Sequence, residues 1–162
     1  MSTAWDVSTA SYVDAFSLSS QTGQGVMGLE FNTDGTKMFV VSYANDSVHE
    51  YTLSTGWDVS TSSYVDAFSF SSQDTEPRGL EFSNDGTKMF MTGDTGNDIN
   101  EYTLTTGFDV STASYVDSLD VSSQETLPMG LTFNTDGTKM FVCGWTGDDI
   151  NEYTLSLSLI HI

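Results

Sequence analysis

The sequence predicts an all-β protein made of three copies of a four-stranded antiparallel meander, each about 51 residues long. Three observations carry that expectation. The segment GLEFNTDGTKMF at 28–39 returns as GLEFSNDGTKMF at 79–90 and as GLTFNTDGTKMF at 130–141, at intervals of 51 residues, and self-similarity at a fixed period is the mark of a repeat architecture. Within each copy, apolar residues alternate with polar ones over short runs separated by Gly, Asn and Asp, which is the pattern of half-buried strands and tight turns. No stretch combines a 3.6-residue apolar period with helix caps.

The elements follow in order. Residues 28–31 place Leu29 and Phe31 on one side and Glu30 on the other, giving a first strand, A. Asn32-Thr33-Asp34-Gly35-Thr36 supplies a hairpin turn, with glycine where a positive φ is needed. Residues 37–42 (KMFVVS) form strand B, 48–53 (VHEYTL) strand C and, after the connector STGWDVSTS, 64–70 (YVDAFSF) strand D. Without gaps, 57–107 and 108–158 agree at about 32 of 51 positions. Trp5, Trp57 and Phe108 recur at intervals of 52 and 51, so the first copy holds one extra residue, expected in a loop between Gln21 and Gly28.

The phase of the array matters as well. Residues 12–18 match strand D and 150–155 match strand C, so an N-terminal D strand is expected to be available to complete the last A–B–C unit. The units fall at about 5–56, 57–107 and 108–156, and the repeat is already in register at Met1. The closing residues 157–162 (LSLIHI) leave the repeat and match the translation of a transposon end sequence used as a sequencing adapter. The expectation is a non-native tail on an array that continues with something close to STGWDVST.

The run GLEFNTDGTKMFVVSYANDSVHEYTLSTG resembles a blade of the YVTN-type and WD40-like β-propellers, and the resemblance covers nearly the whole chain, three times. It implies propeller blades in a ring of four to eight, more than three copies provide, so further blades or self-association would be needed to close it. It implies little about activity, because propellers host receptors, scaffolds, lectins and enzymes alike. Trp5-Asp6 and Trp57-Asp58 spell a WD dipeptide, but Trp57 sits in the C–D connector and not at the end of strand C. Trp5, Trp57 and Phe108 are therefore expected to pack at blade corners.

Composition narrows the partners. The 23 Asp and Glu face four Lys and Arg, for a net charge of −19 at neutral pH, which disfavours nucleic-acid backbones and anionic lipid. Cys143 is the single cysteine, so neither an internal disulfide framework nor a Cys-based zinc site is expected. No apolar run approaches the ~20 residues of a membrane span, and the opening MSTAWDVSTA lacks the features of a signal peptide. The Ser/Thr-rich, Lys-poor surface suits an extracellular, cell-surface or virion-associated protein.

Strand reversal puts the A–B and C–D connections at one end of each unit and the B–C and D–A connections at the other. The copies diverge at the second end. Tyr43, Asp94 and Trp145 share one B–C position, and Met27, Arg78 and Met129 share one D–A position. These six are the expected ligand-reading residues of a non-catalytic recognition module for a protein or carbohydrate. The alternatives are a structural spacer, or a fragment of a propeller hydrolase or lyase. Asp94, Asp98, Asp148 and Asp149 are weak calcium candidates, since their spacing departs from an EF-hand loop. No enzyme is expected: His49 aligns with Asn100 and Asn151, Cys143 aligns with Val41 and Thr92 as a small packed residue, and the glutamates that recur in strands A and C read as structural slots.

Overall fold

A computed structural model describes residues 5–156. The first sheet holds β1 (Val26–Phe31), β2 (Lys37–Ser42), β3 (Ser47–Leu53) and β4 (Ser62–Ser69), in that spatial order. The second repeats it with β5 (Pro77–Phe82), β6 (Lys88–Gly93), β7 (Asp98–Leu104) and β8 (Ala113–Asp120). The third has three strands, β9 (Pro128–Phe133), β10 (Lys139–Gly144) and β11 (Ile150–Thr154). All pairs are antiparallel, and β1, β5 and β9 lie beside one another along the inner edge of the array. The four-stranded meander and its β-propeller-blade geometry are as the sequence predicts. In the first sheet strand B has the expected bounds, whereas strands A, C and D begin one or two residues earlier than expected, because pairing extends past the last alternating side chain.

Two expectations are corrected. Residues 10–18 form no strand, although 12–18 match strand D. β4 and β8 exist because β3 and β7 run beside them, and among the described residues no strand flanks 10–18. A single helical turn, α1 (Ser19–Thr22), also appears where no helix was expected. The extra residue of the first copy falls just after it, between Thr22 and Gly25, since Thr22 and Asp74 make the same bond to the residue four earlier, while Gly25 and Glu76 make the same bond across to strand β2 or β6. The expected tail, 157–162, lies outside the described residues.

Each sheet uses both faces, which is why its strands are more continuously apolar than a one-sided alternation requires. Phe39, Val41 and Val48 point forward onto Leu80, Phe82, Met89, Met91, Tyr102 and Leu104 of the second sheet. Phe90 and Ile99 of that sheet point forward in turn onto Met140 and Val142 of the third. Position within the stack therefore decides burial. Val41 and Thr92 are fully buried, whereas their counterpart Cys143, expected to be packed, is exposed on the outward face of β10.

The C–D connectors tie the units together. In each, Asp58 or Asp109 accepts from the backbone N–H and hydroxyl of Ser60 or Ser111 and caps a 3-10 turn, Val59–Thr61 or Val110–Thr112. The aromatic residue before it stands at positive φ, 66° for Trp57 and 58° for Phe108. It lies on the glycine of the same sheet's A–B turn and donates its backbone N–H to that glycine's carbonyl, Trp57 to Gly35 and Phe108 to Gly86, both at 3.0 Å. These rings thus pack at blade corners. Between units, the Glu50 carboxylate, 2% exposed, accepts from Lys37 Nζ at 2.6 Å and from the Val110 N–H at 3.0 Å, while Lys37 also donates to the Phe108 carbonyl at 2.6 Å.

Two stability predictions follow from these contacts. Gly86 has φ +70°, and a Cβ there would run into the Phe108 ring. Gly86→Ala should cost about 2–4 kcal/mol in urea unfolding, and combined with Phe108→Ala the two costs should be less than additive, because the second change vacates the space the first needs. Glu50→Ala strands Lys37 and the Val110 N–H and should cost about 3 kcal/mol. Glu152→Ala, at the half-exposed equivalent pair with Lys139, should cost under about 1 kcal/mol in the same assay.

Candidate functional site

The inner strands approach each other closely because each carries glycine where the next strand passes. A Cβ on Gly28 would lie 2.9 Å from the Arg78 carbonyl, and one on Gly79 would lie 2.8 Å from the Met129 carbonyl. The expected D–A residues Met27, Arg78 and Met129 consequently stand on successive inner strands. Their B–C counterparts join them through backbone bonds between the two loops: Tyr43 N–H to Gly25, Asp94 N–H to Glu76 and Trp145 N–H to Leu127.

Four of the six expected ligand-reading residues form one cluster between the first two blades. Arg78 donates from Nε to Asp94 at 2.7 Å, its Nη2 lies 2.5 Å from the same oxygen as an ion pair, and Nη2 donates to Glu76 at 3.4 Å. Its Nη1 lies 3.7 Å from the Met27 sulfur, and its guanidinium carbon lies 5.1 Å from the Tyr43 ring centre. The hydrogen bond it donates to Asp94, opposed by partial burial and helped by the nearby charges, raises the Arg78 pKa above its ordinary value. The cluster leaves one face of Tyr43 exposed and keeps Asp94 nearly buried. Trp145 and Met129 stand apart from it on the third blade, and Trp145 is 77% exposed.

Three of the four calcium candidates are otherwise engaged. Asp94 holds Arg78, Asp98 accepts from the Asn100 amide at 2.7 Å and Asp149 from the Asn151 amide at 2.9 Å. Asp148 occupies a turn position at φ 52°. Among the described residues, no three His, Cys, Asp or Glu side chains gather as a metal group would. The carboxylate with the most donors is Glu125, almost fully buried in the D–A loop. Burial would raise its pKa, but the hydroxyl and N–H of Thr146 and the N–H groups of Leu127 and Gly147 outweigh it and hold the group at about 2. It clamps the D–A loop to the B–C loop and shapes the face that carries Trp145.

The chemically distinctive pair is Glu30 and Glu81, half-buried on β1 and β5. Desolvation raises both, and the neighbouring Glu30 charge pushes Glu81 further, to about 7. Sequence reading set these residues aside as repeated structure. A usable signal was the third copy, where Thr132 stands at the same position: the carboxylates are confined to the two strands that adjoin at β1 and β5. Two open clefts lie elsewhere. One of about 410 Å³ runs along Val13, Asp14 and Trp57 to Ser60, and an apolar one of about 150 Å³ is lined by Phe16, Leu18, Val26, Leu29, Met38, Val40 and Val59.

No protein-family model matches the chain, and no curated protein sequence matches it. Solved structures do. A Bacteroides uniformis protein provisionally named a 6-phosphogluconolactonase is 14% identical with a TM-score of 0.62, covering 83% of this chain and 38% of its own. A Pseudomonas aeruginosa periplasmic gluconolactonase is 17% identical with a TM-score of 0.60, covering 83% and 36%. The Cps50 (Swd1) β-propeller domain of Myceliophteria thermophila is 12% identical with a TM-score of 0.58, covering 81% and 40%. The chain has the β-propeller fold. It spans well under half the length of each of these structures. The expectation of no enzyme is overturned by the two lactonase-named propellers, whose blades this chain reproduces. Among the described residues, no helix is long and apolar enough to cross a membrane.

The carboxylate pair makes a stability prediction. The Glu81 pKa is higher in the folded chain than its unfolded value of 4.5, so the favourable protonated form is fully present below pH 4.5 and is lost as pH rises through about 7. Glu81→Gln should therefore gain on the parent chain between pH 4.5 and 7, by about 1–2 kcal/mol once solvent screening of a half-exposed group is allowed for. Urea unfolding of both proteins at pH 4.5, 6 and 8 measures the difference; a gap that does not change with pH would refute the assignment.

Proposed function

We propose that this chain forms part of a propeller hydrolase acting on a sugar-derived lactone, with Glu81 as general base and Glu30 as the charge that poises it. The observation that carries the reading is the carboxyl held at about 7 on the innermost strands, since a base poised near the working pH is the most effective. The lactonase-named propellers support the substrate class. In the proposed reaction, the Glu81 carboxylate removes a proton from a water molecule as its oxygen attacks the lactone carbonyl. The tetrahedral intermediate then expels the ring oxygen, which takes up the proton from Glu81 and leaves a hydroxy acid. Tyr43, in the B–C loop after β2, and Arg78, at the loop end of β5, are suited to binding the hydroxyls of such a substrate.

A second reading draws on the exposed rings of Tyr43 and Trp145 at equivalent B–C positions: recognition of a carbohydrate or protein through the loop face. The periplasmic gluconolactonase supports placing either activity outside the cytoplasm.

Hydrolysis of glucono-1,5-lactone by the 162-residue chain, followed by pH-stat titration, should rise through an apparent pKa near 7, and Glu81→Gln should lower kcat/KM by about 10²–10⁴. A Glu81→Gln protein with unaltered activity and pH profile would refute the catalytic role. Inactivity of the parent chain, with saturable binding of an oligosaccharide lost on joint substitution of Tyr43 and Trp145, would favour the second reading.

A further inference from the structure

Residues 5–18 are built like a connector and strand of the array but lie outside any sheet. Trp5 stands at φ 68°, matching Trp57 and Phe108, and Asp6 caps a 3-10 turn at Val7–Thr9 as Asp58 and Asp109 cap theirs. Yet Trp5 is 100% exposed and Val7 85%, whereas Trp57 lies on Gly35 and Val110 is buried. The third blade presents the complementary features. Gly137 has φ +70° like Gly35 and Gly86, but among the described residues none beyond its chain neighbours comes within 4 Å of where its Cβ would be. Among the described residues β11 ends its sheet, where β3 and β7 are each followed by a fourth strand. The pair Lys88–Glu101 repeats Lys37–Glu50 but is part-exposed, 51% and 29%.

We propose that two copies of the chain close head to tail into one six-bladed ring, in which residues 5–18 of each copy supply the connector and fourth strand of the other copy's third blade. The register is already specified. β3 pairs with β4 as Tyr51 with Tyr64 and Thr52 with Ser63, and β7 pairs with β8 as Tyr102 with Tyr115 and Thr103 with Ser114. The same alignment sets Tyr153 against the partner's Tyr12 and Thr154 against the partner's Ser11. It seats the partner's Trp5 on Gly137 and brings the partner's Val7 N–H to Glu101, as Val110 reaches Glu50.

The arrangement needs no refolding of the donor. Phe16 already lies 5.6 Å from Tyr51 and Leu18 packs on the first blade, as Phe68 of β4 and Phe70 just after it lie 5.4 and 5.3 Å from Tyr102 of the second. The segment can keep that packing while its backbone edge pairs with the partner's β11. The two outer faces are the two halves of the interface seen between the inner blades: Leu29 is 59% exposed where Leu80 is 7%, and Ile150 is 67% exposed where Ile99 is 4%. Such a heterologous contact either closes or runs on as a filament, and two copies of three blades fall within the four to eight blades of closed propellers. This inference is independent of the catalytic reading.

Sedimentation velocity and light scattering on the 162-residue chain should show a species of twice 17.6 kDa that dissociates on dilution. Trp5→Ala removes a ring that is fully exposed in the single copy and seats on the partner's Gly137, and should weaken the dimer at least about 100-fold while leaving monomer far-UV circular dichroism intact. Oxidation of a Ser11→Cys/Thr154→Cys protein on a Cys143→Ser background should give a covalent band at twice the chain mass. A monomer at all accessible concentrations, a dimer indifferent to Trp5→Ala, or a ladder of higher oligomers on oxidation would each overturn the proposal.

Discussion

The assembly depends on one buried charge. Glu50 sits in the seam between the first two blades, and its two oxygens are shared between Lys37 of its own blade and the Val110 N–H of the next. A carboxylate out of water is costly unless its lone pairs are satisfied, so the position of the neighbouring connector is a condition on the burial of Glu50. The connector can meet that condition because Asp109 has already wound it into a 3-10 turn that leaves the Val110 N–H for Glu50. Polar geometry thus sets the angle at which two apolar faces meet, and Phe39, Phe82 and Phe108 fill the space that angle leaves.

The same constraint explains the unequal fates of equivalent residues. A side chain on the forward face of a sheet is buried only if another sheet follows. Val48 and Ile99 are buried and Ile150 is exposed, though all three occupy one slot of the repeat. Glu50, Glu101 and Glu152 run from buried to half-exposed in the same order. The repeat therefore encodes an interface, and its two halves are displayed at the ends of the stack. Charge behaves in the same way at the inner edge, where glycine lets neighbouring strands approach until Glu30 and Glu81 feel each other and lose water together.

Much of this was legible in the residues. Alternation in GLEF, the Asn-x-Asp-Gly-Thr turn and the recurrence at 51 specify strands, hairpins and their order, because these signals are local. The division of loops between two ends follows from strand reversal, and it correctly brought Tyr43, Asp94, Arg78 and Met27 to one place. Residues 12–18 show where local reading stops: they carry the same YVDAF as β4, yet become no strand, since a strand is a property of a pair. Cys143 shows the same limit for burial.

Sequence alone determined the blade, its number of copies and the end of it that varies, all of which rest on contacts within about 50 residues of chain. Tertiary structure decided which carboxylates matter. Glu50, Glu81 and Glu125 are alike in composition, but one bridges blades, one is pushed to about 7 by burial and a like charge, and one is drawn to about 2 by donors from Leu127, Thr146 and Gly147. Those differences arise from solvent exclusion and from neighbours one blade or one loop away. No pattern along the chain records them until the sheets are stacked.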